Sequence, residues 1–382
     1  MLNLVAEFDL PTDRVWVNAA HQGPLPRRAA KAVAEMVRWK TQPHHLASSA
    51  VFSDLPDRLR SELAALVGAQ TSEIVLANSA SYGLHLVANG LELGAGDEVI
   101  VAANDFPSDI LPWTRLERYG VKVNALRPTG SVLSADEVAA AITPSTRVVC
   151  LTWVHSFSGQ VIDLDAIGEV CRANDALFVV NGSQGIGGIP IAVTDHPIDA
   201  LISVGHKWLC GPYATGFCWL GPRVADRIQP TKRYWLSGLS TDDVSRPDYD
   251  ISAFSQSDTG KYDIFATANF FNFSAFAESV TLINSVGVDT IYEHNQALTG
   301  QLVAGIDASQ YEVLDRGNPE RLSSIVFLRP LDRSMEQTAK HLRQAKVDFA
   351  LRVGLFRVSP HLYNTADDID RVLAVLNGGA VG

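Results

Sequence analysis

The stretch "DALISVGHKWLCGPYATGFCWLGP", residues 199–222, contains two short apolar runs separated by a turn rich in glycine and proline. The first run, "ALISV", is almost uniformly apolar, which is typical of a strand buried on both faces. It is followed directly by Gly205, His206 and Lys207. The second run, "GFCWL", comes soon enough after the turn to be an antiparallel neighbour of the first. The stretch therefore predicts a buried strand that places a lysine at its exit.

Outward from this stretch, residues 71–225 alternate strand-like and helix-like segments. The predicted strands are "SEIVLAN", "DEVIVAAND", "VKVNALRP", "TRVVCLTWV" and "ALFVVNG", and the predicted helices are "SYGLHLVANGLEL", "DILPWTRLERYG", "SADEVAAAI" and "DLDAIGEVCRAND". We expect Ser134 to cap the third helix and Gly120 to close the second. The alternation predicts an α/β fold, a large doubly wound and mostly parallel sheet with helices on both faces.

The C-terminal third has a different pattern. Residues 228–265 have weak periodicity and predict a loop-rich segment that covers a site. A long helix, "FNFSAFAESVTLINSVG", follows, and then an α+β tail whose last helix starts at a Thr365 cap. A chain of 382 residues exceeds one core of usual size. We therefore expect a large domain over 22–260 and a small C-terminal α+β domain over 261–382, with the N-terminal segment 1–21 packed near the small domain.

The composition is that of a well-buried globular protein, with 47% hydrophobic and 19% charged residues. The net charge of −11 and the lack of a basic stripe argue against a nucleic-acid partner. Neither a signal peptide nor a membrane-spanning stretch is evident, so a cytoplasmic location is expected. The four cysteines, without CxxC spacing, are expected to be buried free thiols, with neither a disulfide framework nor a metal site.

Lys207 is the first candidate for chemistry. A lysine at the exit of a buried strand, beside a histidine, can form a Schiff base, because burial and a neighbouring cation lower the pKa of its amine. The alternative for an isolated His-Lys pair is an ordinary lysine on a surface loop. The glycines of "GSQGIGG" suggest a dinucleotide site, but the G-x-G-x-x-G spacing is absent and we reject that interpretation.

Several segments, in the right order, resemble one family. "GHKWLCGP" resembles the lysine motif of the pyridoxal-phosphate (PLP) enzymes of aminotransferase class V, which include cysteine desulfurases, kynureninase and isopenicillin N epimerase-like proteins. "NGSQGIGGIP" lies where that family has an Asp-Gly-x-Gln motif, "SASYGLHLVA" resembles its phosphate-loop helix, and "RVSPHLYNTADDIDRVL" resembles its C-terminal segment. The resemblance covers nearly the whole chain. It implies fold type I, PLP as cofactor, and Lys207 as the residue that forms the Schiff base.

The resemblance also implies a set of cofactor contacts. The helix start at Ala80 and Ser81 would bind the phosphate through a backbone amide and a hydroxyl, although an ordinary serine N-cap gives the same pattern. Phe106 would stack on the pyridine ring, the alternative being a core phenylalanine beside a turn. Gln184 would reach the phenolic oxygen, and His206 would lie near the phosphate or the lysine.

Thr267, in "FATAN", resembles the family's threonine that binds the phosphate of the neighbouring subunit's cofactor, and it is the reason to expect a homodimer. A helix N-cap is the alternative role for this residue.

Substrate contacts are implied by the resemblance as well. Arg357 matches the arginine that binds the α-carboxylate, a task suited to a planar bidentate donor. Arg352 resembles a second basic position, and for both arginines a solvated strand edge is the alternative. Ala20 and His21 belong to a segment that resembles the family's substrate-side loop. His155 follows a predicted strand at the same sheet edge, where a structural role is equally open.

Two departures from the family pattern affect the chemistry. The segment "ALRVGLFRV" has no cysteine and is too short for the mobile cysteine loop of the desulfurases, so a persulfide on the protein is not expected. Asn181 replaces the aspartate that normally pairs with the pyridinium nitrogen, and an amide holds that nitrogen protonated less strongly. The amide has three possible explanations: it tunes the chemistry of the cofactor, the active site has degenerated, or this particular sequence carries a substitution.

A less firmly protonated ring is a weaker electron sink, which disfavours ordinary transamination. We therefore expect an enzyme that acts on a small-molecule amino-acid substrate. The reaction we favour is β-elimination, as in a C–S lyase acting on a cysteine conjugate. Epimerase, decarboxylase or oxidative deaminase, and aminotransferase activities are alternatives within the family. A non-catalytic descendant of the fold is the alternative from another class of protein.

Overall fold

The structure is a computed structural model that describes residues 4–47, 50–230, 234–255, 260–266, 269–331 and 334–378. Its strands are β1 (Val15–Trp16), β2 (Ile74–Ala77), β3 (Glu98–Ala102), β4 (Lys122–Leu126), β5 (Thr146–Thr152), β6 (Leu177–Asn181), β7 (Ala200–Val204), β8 (Gly216–Leu220), β9 (Tyr311–Val313), β10 (Val326–Pro330), β11 (Val347–Asp348), β12 (Ala350–Arg352) and β13 (Leu355–Val358). Its helices are α1 (Arg27–Thr41), α2 (His44–Ala47), α3 (Val51–Val67), α4 (Ala80–Gly90), α5 (Pro107–Thr114), α6 (Ala135–Ala141), α7 (Leu164–Ala173), α8 (Pro222–Ala225), α9 (Thr241–Ser245), α10 (Phe270–Val286), α11 (Val288–Gly305), α12 (Met335–Gln344) and α13 (Ala366–Leu376).

The largest sheet has seven strands in the order β2-β8-β7-β6-β5-β3-β4. The strands from β7 to β4 pair in parallel, and β8 runs antiparallel to both β7 and β2. The predicted α/β class, the mostly parallel sheet and the antiparallel return after Lys207 are therefore confirmed. Because two antiparallel pairings separate β2 from β7, the carboxyl ends of β2, β6 and β7 lie at one edge.

Apolar side chains cover both faces of this sheet. Along β6, Phe178 and Val180 pack into one core, while Leu177 and Val179 pack into a second core that includes α4 and Trp113 of α5. This period of two follows from strand geometry and explains the nearly continuous apolar runs in the sequence. Asn181 continues the parity of Leu177 and Val179, which directs its side chain to the side of α4 and α5.

The predicted helix caps are present. Ser134 caps α6 and Thr365 caps α13, in each case with a reciprocal bond to an acidic residue three positions later. Gly120 ends the short 3-10 turn after α5 with φ of +84°. These contacts are local, which is why the sequence alone predicts them.

A four-stranded antiparallel sheet, β12-β13-β10-β9, forms the small C-terminal unit with α12 and α13. The N-terminal segment joins it, because β1 pairs in parallel with β11 and Val17 is buried in the same core. Helix α10 packs on α1 and α3, and Phe273 and Phe276 lie in the core of the large sheet. The division at 260/261 stays a prediction, and the packing groups α10 with the large unit.

The described parts of residues 228–265 contain only short helical turns, in agreement with a loop-rich segment. All four cysteines are buried free thiols, as expected. None of the described helices is long and apolar enough to cross a membrane.

Candidate active site

The candidate site lies at the sheet edge where β6, β7 and β2 end and where α4 begins. Asn181 is the last residue of β6, Lys207 comes three residues after β7, and α4 starts three residues after β2. Ligands of open α/β sheets bind at the carboxyl ends of the strands, where helix N-termini also point. The strand order therefore brings together residues that are more than a hundred positions apart in the chain.

Lys207 lies at this edge, just beyond the end of β7. Burial and the charges of Arg357 and Arg352 lower the pKa of its amine to about 8, while the carboxyl of Asp109 acts in the opposite direction. A lysine with this pKa is neutral in about a tenth of molecules at pH 7, far more than an ordinary lysine, so its nitrogen can act as nucleophile and base. The alternative of an ordinary surface lysine does not fit this environment.

The start of α4 offers an anion-binding position. Ser79, not Ser81, is the N-cap, since its hydroxyl accepts a hydrogen bond of 3.1 Å from the Tyr82 amide. Ala80 is buried in the first turn and Ser81 is exposed beside it. The backbone amides of a first turn point out of the helix, and its dipole favours negative charge.

Phe106 presents its ring next to the lysine. Its side chain is 43% exposed, and the Nζ atom of Lys207 lies 5.8 Å from the ring centroid. The ring of Phe157 is stacked against it, with 6.2 Å between the two centroids and 24° between the planes. An exposed aromatic ring held in this way can support a flat heteroaromatic group.

Asn181 and Gln184 are both buried. The Nδ2 atom of Asn181 donates to Oδ2 of Asp109 at 3.0 Å, and its Oδ1 accepts from the Ser183 amide at 3.0 Å. Gln184 donates from Nε2 to the Ala20 carbonyl at 3.1 Å and accepts at Oε1 from the Trp208 indole at 3.0 Å. These contacts fix the orientation of both amides.

The glycines after Asn181 serve close packing. A Cβ at Gly185 would lie 2.4 Å from the ring of Trp153, and Gly187 has φ of +89°. The segment forms turns and the short 3-10 helix at 193–195, and the next α-helix begins only at 222, after two further strands. The rejection of a dinucleotide fingerprint is therefore confirmed, because that motif requires a helix directly after the strand.

Arg357 is the most unusual charged residue of the site. It is 2% exposed, and the one hydrogen bond that it donates to the described residues is weak, at 3.5 Å from Nη1 to the Ser156 carbonyl. Its Nε and Nη2 atoms have no hydrogen-bond partner among the described residues. Burial and the charge of Arg352 lower the pKa of its guanidinium to about 9. A buried guanidinium of this kind has free donors for a carboxylate.

Arg352 and His21 lie near this guanidinium, at the side of the small sheet. Arg352 is half-buried and donates to the Leu351 carbonyl at 2.8 Å. Burial lowers the pKa of His21, and so do the charges of Arg352, Arg357 and Lys207, which places all three cations in its neighbourhood. Ala20 contributes its carbonyl to Gln184, as described above, so the N-terminal segment forms one wall of the site.

His206 is half-buried, and its ring lies 4.9 Å from that of Tyr213. Burial lowers the pKa of its imidazole to about 4, assisted by the charges of Lys207 and His21. His206 is therefore neutral at physiological pH and can contribute a hydrogen bond but no charge.

Two further candidates are His155 and Thr267. Both ring nitrogens of His155 are engaged inside the protein, Nδ1 with the Ser158 hydroxyl at 2.8 Å and Nε2 with the Asn104 carbonyl at 3.0 Å. These contacts favour the structural role that was left open for His155, since both ring nitrogens are engaged within the protein, and its contact with a substrate stays a prediction. Thr267 lies outside the described residues.

Asp109 is a component of the site that the sequence reasoning missed. It lies in the first turn of α5, three residues after Phe106, is 0% exposed, and bonds to Asn181. Trp208, which orients Gln184, is the second missed residue. The only sequence signal for Asp109 is an acidic residue one turn after the candidate stacking ring, a pattern that an exposed helix start also shows.

The residues fit PLP. The site contains an amine with a lowered pKa, an exposed aromatic face, a helix start for a phosphate, a buried amide at a strand tip and an orphaned buried guanidinium. The class defined by this fold and site is a fold-type I enzyme that uses PLP.

Comparisons with known proteins agree with this class. The family described as aminotransferase class-V matches residues 23–372. A probable cysteine desulfurase of Methanothermobacter thermautotrophicus is 27% identical over 95% of this chain and 94% of its own length. Isopenicillin N epimerase of Streptomyces clavuligerus is 25% identical over 94% of each chain. The solved complex of the cystine C–S lyase C-DES with its product cysteine persulfide has a TM-score of 0.85, 20% identity, and coverage of 97% of this chain and 99% of that chain.

The chain therefore belongs to the aminotransferase class-V family, a family of PLP-dependent enzymes. The structural neighbours show fold type I, and the resemblance stated from the motifs is confirmed.

Proposed function

We propose that this protein binds PLP on Lys207 and catalyses β-elimination on a β-substituted amino acid such as a cysteine conjugate, in the manner of a C–S lyase. The observation that carries the proposal is the buried guanidinium of Arg357, whose Nε and Nη2 atoms lack partners among the described residues and whose charge acts on Lys207. A buried cation without a protein anion is costly, and an α-carboxylate of a substrate would supply the missing charge.

The cofactor would be held by residues from five segments. The first turn of α4, with Ala80 and Ser81, would bind the phosphate, Phe106 would cover the ring, and Asn181 would meet the pyridine nitrogen. Gln184 and His206 would contribute hydrogen bonds near Lys207. When bound, PLP supplies an electron sink for the bond that breaks at the substrate's α-carbon.

The protein's own groups perform the remaining tasks. Arg357 binds and orients the α-carboxylate, with Arg352 and His21 at the outer side. Once the substrate's amino group has displaced it from the cofactor, the free Nζ atom of Lys207 would remove the α-proton, a role for which a lysine of lowered pKa is suited. The C–S bond then breaks and the thiolate leaves. The three-carbon product, 2-aminoacrylate, reacts with one water molecule to give pyruvate and ammonia.

The hairpin of the small sheet supports elimination over desulfuration on a protein thiol. Only Val353 and Gly354 connect β12 to β13, and both have positive φ, +46° and +76°. A connection of two residues has no room for a mobile loop. All four cysteines are buried elsewhere, and burial raises the pKa of Cys210 and Cys171 above their usual range.

The amide at position 181 supports the same reaction. With an amide in direct contact, the ring nitrogen is held protonated less firmly than with a carboxylate. Reactions in which a good leaving group departs quickly depend less on that proton than transamination does.

The experiment begins with an absorbance spectrum of the purified protein supplied with PLP. We expect a cofactor band that disappears on borohydride treatment and is missing in Lys207→Ala. A protein that stays colourless with excess PLP contradicts the proposal and favours the non-catalytic descendant.

The reaction type requires a second assay with cystine or another cysteine S-conjugate. Pyruvate and ammonia in equal amounts are the expected products. A keto acid formed only with an amino acceptor, or an inverted amino acid, would instead assign aminotransferase or epimerase activity. Carbon dioxide release would assign decarboxylation, and hydrogen peroxide oxidative deamination.

We also propose a homodimer in which Thr267 reaches the partner's cofactor. Large exposed apolar side chains near the lysine loop and in the loop-rich segment support it, namely Tyr213, Trp235 and Phe265. Size-exclusion chromatography with light scattering tests it, with a dimer mass expected. The cytoplasmic location stays a prediction.

A further inference from the structure

The Asn181 carboxamide is fixed at both ends. The Ser183 amide donates to its Oδ1, so the Nδ2 side must face Asp109, to which it donates at 3.0 Å. Each end of the carboxamide keeps capacity for one more bond, because an amide oxygen has two lone pairs and the nitrogen has two hydrogens. Asn181 is 4% exposed and Asp109 is 0% exposed, so the bond between them is shielded from solvent.

Asp109 has an unusual environment for a carboxyl group. Its Oδ1 has no hydrogen-bond partner among the described residues. Burial and the charge of Asp105 raise its pKa well above the usual range, and the bonds from Asn181 and Thr152 and the charge of Lys207 act against that rise. From β5, the buried thiol of Cys150 also faces it.

This environment is costly in the free protein. A buried carboxyl with a free oxygen, no ion-pair partner at contact distance among the described residues and a second acidic group nearby costs free energy unless it binds something cationic or keeps a proton. Most aspartates of folded proteins are exposed, whereas Asp109 is buried in the first turn of α5 and is hydrogen-bonded to Asn181 at the end of β6.

We propose that Asp109 is a positioning residue for the pyridine nitrogen of PLP: it holds the Asn181 carboxamide in one orientation and, because a protonated ring nitrogen nearby would favour its ionised form, supplies negative charge through that amide. The inference rests on the proposed function, since it requires PLP at this site. An amide that donates to a carboxylate has a more electron-rich oxygen, which is a better acceptor for the proton of a ring nitrogen. The aspartate expected at position 181 is thus replaced by an amide that donates a hydrogen bond to the carboxyl of Asp109.

The relayed charge has a chemical consequence. It acts on the ring nitrogen from a greater distance than a contacting carboxylate would, so the nitrogen keeps its proton less firmly than with aspartate but more firmly than with an isolated amide. The site is therefore tuned and not degenerate.

The test measures PLP bound to the full-length protein and to Asp109→Asn. Removing the carboxyl should weaken PLP binding about tenfold, as for a hydrogen bond to a charged group. The absorbance of the bound cofactor should also titrate at lower pH, because the negative charge that favours a protonated ring nitrogen is gone. The exchange variant Asp109→Asn/Asn181→Asp should restore PLP binding and return the titration to the wild-type pH or above it, since it places the one carboxyl in contact with the ring nitrogen.

Asp199→Asn is the matched control. Asp199 is also buried, but it precedes β7 at the opposite edge of the sheet, where it accepts from the Phe178 amide and from Arg223. This variant should lose stability and leave the absorbance of the bound cofactor unchanged.

A second arm guards against a poorly folded Asp109→Asn protein. Asn181→Asp alone places two carboxyls side by side, and the titration of the bound cofactor should then move to higher pH. Wild-type protein that binds PLP on Lys207 while Asp109→Asn leaves affinity and titration unchanged would overturn the inference alone. Wild-type protein that does not bind PLP would overturn the proposed function with it.

Discussion

Two buried arginines of this chain have nearly the same depth and opposite surroundings. Arg60 of α3 is 4% exposed and donates to both oxygens of Asp263, at 3.1 and 2.5 Å, and to the Ile74 carbonyl at 2.6 Å. Arg357 of β13 is 2% exposed and has no carboxylate partner among the described residues. One guanidinium is neutralised within the fold and the other is not.

The difference separates structure from function. Burying a charge costs free energy, and Arg60 offsets this cost with an ion pair that ties α3 to β2 and to the segment before α10. Arg357 has no such compensation, and neither does Asp109, while the pKa of Lys207 is lowered to about 8 in the same site. Uncompensated buried groups concentrated at one sheet edge indicate a site completed by ligands.

The largest expected effect comes from breaking the paired arginine. Arg60→Met leaves Asp263 buried without its cation and should reduce the free energy of unfolding by about 3–5 kcal/mol. Denaturant unfolding followed by circular dichroism measures this change. Adding Asp263→Leu should recover part of the loss. A loss below about 1 kcal/mol would show that the pair is not the structural clamp described here.

The unpaired arginine should behave in the opposite way. Arg357→Leu should raise the KM for the amino-acid substrate about a hundredfold, because a charge-assisted bond to the α-carboxylate is lost. The stability of the free protein should stay the same or increase, since a costly buried charge is removed. Steady-state kinetics and unfolding of the same preparation provide the two values.

Arg329→Leu is the control for this comparison, since Arg329 lies on the neighbouring strand β10, is about half exposed and pairs with Glu312 at 2.5 Å. It should change stability by less than about 1 kcal/mol and leave the KM unaffected. A KM that rises equally in both variants would contradict the role of Arg357.

Lys207, another charged group of the site without an ion pair among the described residues, should make the stability of the protein depend on pH. Its pKa in the folded protein, about 8, lies below its ordinary value of 10.5. The unfolded chain therefore binds more protons between these two values, and the stability of the cofactor-free protein should rise with pH across this window. Lys207→Met should remove a destabilising contribution of about 3 kcal/mol at pH 7, so that the variant is more stable than wild type there and equal to it above the window. A constant difference at all pH values would contradict the lowered pKa.

The smallest effect is expected at Phe106, whose exposed ring lies beside Lys207. Phe106→Leu should weaken PLP binding about fivefold through lost stacking, whereas Phe106→Tyr should stay near wild type. Fluorescence titration with PLP measures both. Equal affinity for all three proteins would place the ring of the cofactor elsewhere.

Sequence patterns predicted the parts of this molecule that depend on short-range order. The apolar runs of β5, β6 and β7, the caps at Ser134 and Thr365, and the lysine after β7 all follow from periodicity and local hydrogen bonding. The family motifs then indicated the residues of the site, and the fold brings most of them to one edge.

The remainder depends on contacts that are distant in sequence. Asp109 and Asn181 are 72 positions apart, and only the sheet order places them at 3.0 Å. The bond between the His155 ring and the Asn104 carbonyl likewise joins positions that are 51 residues apart. Burial distinguishes Arg357 from Arg352, although both have the same sequence context of a short apolar strand.

The central claim is that the unpaired groups at this sheet edge bind PLP through Lys207. Borohydride reduction of the protein with PLP, followed by protease digestion and mass spectrometry of the peptides, tests it directly. We expect one phosphopyridoxyl group per chain, on the peptide that contains Lys207, and no such group in Lys207→Ala. Modification spread over several lysines, or absent from Lys207, would contradict the account.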